Sequence, residues 1–180
     1  MVKLENKLQP QKIKIGILGG TFDPAHKGHL EISKQARKRF GLKNIFWAIT
    51  KQNPFKNESK SNLKSRIQFA KKIIGKNKYI KIKFYEEKIK SNRTIDLIKY
   101  INEDKKFDIH FIIGADNLIN FHKWYKWKSI IKKSNILVFD RQGFKTKSLK
   151  SITFNKTNKK SLTFVNFKKV NISSSQLRKV

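Results

Sequence analysis

Apolar and polar positions along this chain follow two rhythms, short apolar runs and longer stretches with helical spacing. Ile13-Lys14-Ile15-Gly16-Ile17-Leu18 predicts a strand that is central in a sheet, because apolar side chains occupy both faces. Leu30, Ser33, Ala36, Arg37 and Phe40 then recur at helical spacing, with Gly41 as the stop. Asn44 to Thr50 predicts a second strand, and Lys51 to Asn62 a polar loop. Leu63 to Ile74 reads as a helix with Ile67, Ala70 and Ile74 inward and Gly75 as its stop. Tyr79 to Tyr85 alternates with lysines and predicts a strand with one wet face, at a sheet edge. Thr94 is the expected N-cap of a helix through Ile95, Ile98 and Ile101. Phe107 to Ile113, Ile136 to Phe139 and Leu162 to Phe167 complete the strands. Between them lie an aromatic-rich helical piece, Leu118 to Lys132, and a basic, polar connection, Lys145 to Lys160.

This alternation predicts an α/β fold, a Rossmann-like and mostly parallel sheet flanked by helices. Residues 1–12 are expected to form a flexible tail, and residues 13–180 a single domain without internal repeats. In such sheets ligands bind beyond the carboxyl ends of the strands. Three segments follow strands and should share that rim: Gly19 to His29, Gly114 to Asp116, and Arg141.

Composition narrows the chemistry. The 180 residues hold no cysteine, which excludes disulfides, a thiolate nucleophile and cysteine-based metal sites. No apolar run is long enough to span a membrane, and the polar N-terminus lacks an apolar signal core, so a cytoplasmic protein is expected. Forty-three basic against twelve acidic residues give a net charge of +31. The lysines are spread through every segment alongside abundant asparagine and isoleucine, which fits compositional drift better than a dedicated polyanion surface. The field still attracts phosphorylated ligands, and it permits non-specific binding of nucleic acid through charge.

The most informative stretch is Gly19-Gly20-Thr21-Phe22-Asp23-Pro24-Ala25-His26-Lys27-Gly28-His29. A strand, a glycine-rich turn and a helix start make a place to hold phosphate, since exposed amides donate and the helix dipole favours negative charge. His26 and His29 add imidazole donors where that helix opens. The pattern is neither a P-loop nor a Gly-x-Gly-x-x-Gly fingerprint, and the histidine spacing does not match His-Glu-x-x-His. At the other end, Ile172-Ser173-Ser174-Ser175-x-x-Arg178 offers hydroxyls, amides and a fork-shaped cation together.

The first stretch closely resembles the (T/H)xGH signature of the nucleotidyltransferase superfamily. Within it, Gly-Gly-Thr-Phe-Asp-Pro-x-His-x-Gly-His looks most like the nicotinate mononucleotide adenylyltransferases. The terminal serines and Arg178 resemble that superfamily's Ile-Ser-Ser-Thr/Ser-x-x-Arg motif. Pro54-x-Lys56, Arg66, Thr94-Ile95-Asp96, Gly114-Ala115-Asp116, Trp124-Tyr125-x-Trp127 and Arg141-x-Gly143 are similar to further family segments in the same order. The chain departs from the family at Phe55 (usually histidine), Arg93 (often tyrosine) and Gln142 (proline).

The resemblance implies transfer of AMP from ATP to nicotinate mononucleotide, with pyrophosphate leaving and Mg²⁺ brought with ATP. It implies that His26, His29 and Arg178 act in catalysis. Gly19, Gly20, Thr21, Phe22, Lys56, Gly114, Asp116, Ile172, Ser173 and Ser174 would join them in binding ATP. Thr94, Trp124, Tyr125 and Arg141 would hold the pyridine nucleotide. The chain stops two residues after Arg178, so the Ser174 to Arg178 helix is expected to be short or to lean on a neighbouring subunit of a homo-oligomer. Two alternatives remain at this point. One is the sister phosphopantetheine adenylyltransferases, against which His26 and Trp124-Tyr125 argue. The other is a basic nucleic-acid-binding protein on a degenerate scaffold of the same kind. Preference between nicotinate and nicotinamide mononucleotide is not legible.

Overall fold

Six apolar runs become six strands, and every pairing between them is parallel. The computed structural model describes residues 11–53, 59–158 and 160–166. In chain order these form β1 (Ile13–Gly20), α1 (Lys27–Phe40), β2 (Asn44–Ile49), α2 (Leu63–Ile74), β3 (Ile80–Lys83), α3 (Glu86–Ile89) and α4 (Thr94–Ile101). Next come β4 (Phe107–Gly114), α5 (Ala115–Asn120), α6 (Trp127–Lys133), β5 (Asn135–Phe139), α7 (Lys145–Leu149), α8 (Ile152–Lys156) and β6 (Leu162–Val165). The sheet order is β3-β2-β1-β4-β5-β6. The direction of travel across the sheet therefore reverses between β1 and β4, and the carboxyl ends of those two strands flank a natural ligand crevice.

Strand alternation sorts the core onto two faces. Ile15 and Ile17 of β1, Phe111 of β4 and Val138 of β5 pack with Ile95 and Ile98 of α4, Leu118 of α5 and Ile130 of α6. Leu18 of β1, Trp47 of β2, Ile112 of β4 and Leu137 of β5 face the other way, with Ala36 of α1 and Ala70 of α2. This second face has no spare room at Gly16. A Cβ there would lie 2.6 Å from Ile45 Cδ1, 3.0 Å from Ile112 Cδ1 and 3.1 Å from Leu42 Cδ1. No described helix is long and apolar enough to cross a membrane.

The expected α2 is found at its predicted bounds, and Gly41 and Gly75 cap α1 and α2 as anticipated. β3 is an edge strand, with Lys81 and Lys83 exposed between Ile80 and Ile82. Three readings are corrected. Thr94 is the first residue of α4 and not its N-cap; Arg93 holds the cap position. The aromatic piece is not one helix. A 3-10 turn (Phe121–Lys123) follows α5, Trp124 is extended, and Lys126 takes φ 51° before α6 begins. The break leaves Phe121 buried in the core and sets the Trp124 ring against both Phe121 and Phe111 of β4. The basic connection after Arg141 contains α7 and α8, whose Ser148, Ser151 and Thr153 are buried.

Candidate active site

The turn after β1 is built around an aromatic stack. Phe22 takes φ 49°, a strained setting for a bulky residue, and this turns its side chain into the core. There it stacks on Trp47 at 4.9 Å. Trp47 Nε1 donates to Ser33 Oγ at 2.8 Å, and Ser33 Oγ donates to the His29 carbonyl at 2.8 Å. Asp23 is buried, and its Oδ2 accepts the Lys60 backbone N–H at 2.7 Å. The residue types of the turn thus fold inward to hold its shape, leaving the histidines at its mouth.

His26 occupies the N-cap of α1 and His29 the third helical position. Their rings lie 3.8 Å apart, and His29 also rests on Phe22 at 4.7 Å. The His26 backbone N–H donates to His29 Nδ1 at 3.2 Å. A neutral His29 therefore carries its proton on Nε2, as a donor. Burial, reinforced by the positive charge of Arg141, lowers the His26 pKa to about 4. His26 is consequently a neutral imidazole at physiological pH.

Arg66 fastens this turn to the rest of the rim. It is buried on α2 and donates to four carbonyls: Nη1 to Thr21 at 2.6 Å and Thr50 at 2.8 Å, Nη2 to Lys51 at 3.0 Å, and Nε to Ser61 at 3.0 Å. Burial pulls its pKa below the usual arginine value, and the carboxylates of Asp23 and Glu86 act against that pull. The sequence marked Arg66 only as a family position; its clamp role had no local signal.

A second wall comes from β4 and β5. Arg141, just past β5, donates from Nη1 to Asp116 Oδ2 at 2.5 Å. Asp116 Oδ1 is buried without a hydrogen-bond partner among the described residues. A Cβ on Gly114 would lie 2.5 Å from that oxygen, so glycine leaves room for the carboxylate. The structure sets Arg141, expected among the pyridine-nucleotide ligands, on this His26 side of the rim and outside the lining of the aromatic cleft.

That cleft, of about 340 Å³, lies beside the phosphate turn. Gly19 and Gly20 form one side, and Thr94, Phe111, Trp124 and Tyr125 contribute to the rest. Trp124 meets Phe111 edge-on at 6.1 Å and tilts against Phe121 at 4.8 Å. Trp127 packs against the core instead. The cleft size suits a small ligand, and its mixture of rings and a few polar groups suits a flat heterocycle. Arg93, Lys123 and Asn117 also line it and were not assigned to the site from sequence; Arg93 had been noticed only as a departure from the family pattern. His110 is buried in β4 near Phe40, away from this rim, and His122 sits in the 3-10 turn. Lys56, Ile172, Ser173, Ser174 and Arg178 lie outside the described residues.

The rim thus joins a phosphate-type turn carrying two imidazoles, that of His26 neutral, to an aromatic cleft free of carboxylates among its described lining residues. Comparison with known proteins agrees with that chemistry. The model of the cytidylyltransferase-like family matches residues 17–180. A protein of Pelagibacter ubique (strain HTCC1062) named "probable nicotinate-nucleotide adenylyltransferase" is 77% identical over 180 residues, covering 100% of both chains. A relative of the same name from Rhizobium meliloti (strain 1021) is 36% identical, covering 72% of this chain and 69% of its own. The solved structure of Plasmodium falciparum nicotinic acid mononucleotide adenylyltransferase complexed with NaAD has a TM-score of 0.75 at 21% identity, covering 94% of this chain and 83% of its own. At that identity it speaks for the fold. The chain belongs to the cytidylyltransferase-like family, within its nicotinate-nucleotide adenylyltransferase branch.

Proposed function

We infer that this chain transfers the adenylyl group of ATP to nicotinate mononucleotide, giving nicotinate adenine dinucleotide and pyrophosphate in NAD biosynthesis. The observation that carries this reading is the juxtaposition of the His26–His29 turn and the Trp124–Tyr125 cleft at the carboxyl end of β1. One place suits a triphosphate and the other a pyridine ring, side by side on one rim.

The chemistry needs neither a covalent enzyme intermediate nor a general base. An ionised phosphate oxygen of the acceptor bonds to the α-phosphorus of ATP, and the bond to the bridging oxygen of pyrophosphate breaks. Catalysis then consists of positioning and of stabilising charge at the transferred phosphorus. The Nε2–H of His29 is a preset donor for a non-bridging oxygen there, and the neutral ring of His26 packs beside it. Asp116 Oδ1, without a partner among the described residues, is suited to accept a hydrogen bond from a hydroxyl of the nucleoside. Lys56 and Arg178 would neutralise the triphosphate as pyrophosphate leaves, and Ser173 and Ser174 would donate hydrogen bonds to it.

Mg²⁺ would enter on the ATP phosphates and not on the protein. Among the described residues, no group of three His, Cys, Asp or Glu side chains gathers to hold an ion. Bound to the phosphates, it would neutralise charge on the leaving group. A cytoplasmic location goes with this reading, because ATP and the mononucleotide meet there.

The test is pyrophosphate release from ATP and Mg²⁺ with nicotinate mononucleotide, nicotinamide mononucleotide and phosphopantetheine supplied separately. Release strongest with the first supports the reading. Release with phosphopantetheine alone would assign the chain to the sister reaction. Release with none from folded protein would overturn it.

A further inference from the structure

Resting on that reading, we propose that Arg93 is the residue by which this enzyme prefers an acceptor with a ring carboxylate over one with a ring carboxamide. The two acceptors have the same size and flatness, so stacking on Trp124 or Tyr125 discriminates little between them. They differ in charge, and the cleft must read that difference electrostatically.

Two cations line the cleft, Arg93 and Lys123, with no acidic side chain among the described lining residues. Arg93 stands at the N-cap of α4, next to Thr94, and its guanidinium lies 4.0 Å from the centroid of the Tyr125 ring. Tyr125 is itself 47% exposed, so this stack is part of the cleft wall and not of the core.

Arg93 makes no ion pair among the described residues. The nearby carboxylates are engaged elsewhere. Asp96 Oδ2 accepts from Ser91 Oγ at 2.8 Å, and Glu86 accepts from Thr50 Oγ1 and from the Lys51 backbone N–H. A guanidinium held over a tyrosine ring, with no ion pair among the described residues, is preorganised to bind a planar carboxylate through two parallel N–H donors. Lys123, exposed like Arg93, is a point charge with no such ring support, and it attracts the acceptor as a whole. The first helical amides of α4 add a favourable dipole on the same side.

The experiment compares kcat/KM for nicotinate and nicotinamide mononucleotides in the wild-type enzyme, Arg93→Gln, Arg93→Lys and Lys123→Gln. Quenching of tryptophan fluorescence by each acceptor supplies dissociation constants independent of turnover. The wild type should favour the acid. Arg93→Gln should lower the acid-to-amide ratio at least tenfold, chiefly through KM and Kd for the acid, and Arg93→Lys should restore part of it. Equal losses for both acceptors would mean that Arg93 only packs on Tyr125, and would overturn the proposal. So would a ratio that survives Arg93→Gln, or one that collapses in Lys123→Gln instead. Wild-type enzyme that turns over neither acceptor would overturn the parent reading along with this one, whereas intact wild-type preference with an indifferent Arg93→Gln overturns this one alone.

Discussion

At the scale of single residues, the two histidines divide the work. His29 presents a donor whose tautomer is set by the His26 backbone N–H. His29→Ala should lower kcat by roughly a hundredfold or more while leaving the thermal midpoint within a few degrees, since it removes a transition-state contact. A rate close to wild type would remove it from the mechanism. His26 carries a pH dependence. Its folded pKa, about 4, lies below the unfolded value near 6.5, so the unfolded chain binds the proton first. Stability contributed by neutral His26 is complete above about pH 6.5 and is lost as pH falls towards 4. Urea unfolding at pH 7.5 and 4.5 should show a smaller acid loss in His26→Asn than in the parent. His110, also lowered by burial, acts in the same direction in both proteins, so the difference between them isolates His26. Identical losses would contradict the neutral, buried assignment.

Between elements, Arg66 ties α2 to the phosphate turn and to the end of β2 through four carbonyls. A lysine in its place keeps the charge but cannot reach four acceptors in a plane. Arg66→Lys should therefore cost about 3 kcal/mol of stability and lower activity together, as read from urea midpoints and pyrophosphate release. Stability near wild type with activity lost would instead mean that Arg66 meets substrate. Elements of this kind were legible in the sequence wherever periodicity ran long, as in Leu63–Ile74. The break of the aromatic segment was not, because neither glycine nor proline marks it. The 3-10 turn and the left-handed Lys126 that make it carry no signal in residue type. The Arg93 cap escaped notice because Thr94 is the better capping residue by type, and Arg93 holds the position without a side-chain cap bond. The histidine turn and the Trp124–Tyr125 wall were legible because their chemistry is concentrated in short motifs. The contacts of Arg66 and Arg93 depend on partners far along the chain.

Over the whole molecule, the six-stranded order places every described contributor to the site at one rim, and the net charge of +31 surrounds that rim. Both substrates are phosphorylated, and their capture should be aided by this field while the chemical step is not. Raising NaCl from about 50 to about 500 mM should lower kcat/KM for ATP several-fold and change kcat little. A parallel fall in both would point to salt acting on the catalytic groups themselves. The charge was plain in the sequence. That no carboxylate lines the aromatic cleft among the described residues was not, since this depends on which strand ends lie side by side.

The crowding at Gly16 has a consequence for the history of such a sequence. Three terminal methyls occupy the place an alanine side chain would take, the nearest belonging to Ile45. Ile45→Val removes that methyl at a cost of about 1 kcal/mol and leaves a gap of the right size. Gly16→Ala should then be damaging in the present background and nearly tolerated after Ile45→Val. The double variant should be more stable than the sum of the single losses by about 1 kcal/mol, readable from denaturation midpoints. An additive result would mean that the neighbours yield easily. Otherwise the order of events matters: a lineage reaches alanine at position 16 only by passing through valine at position 45 first.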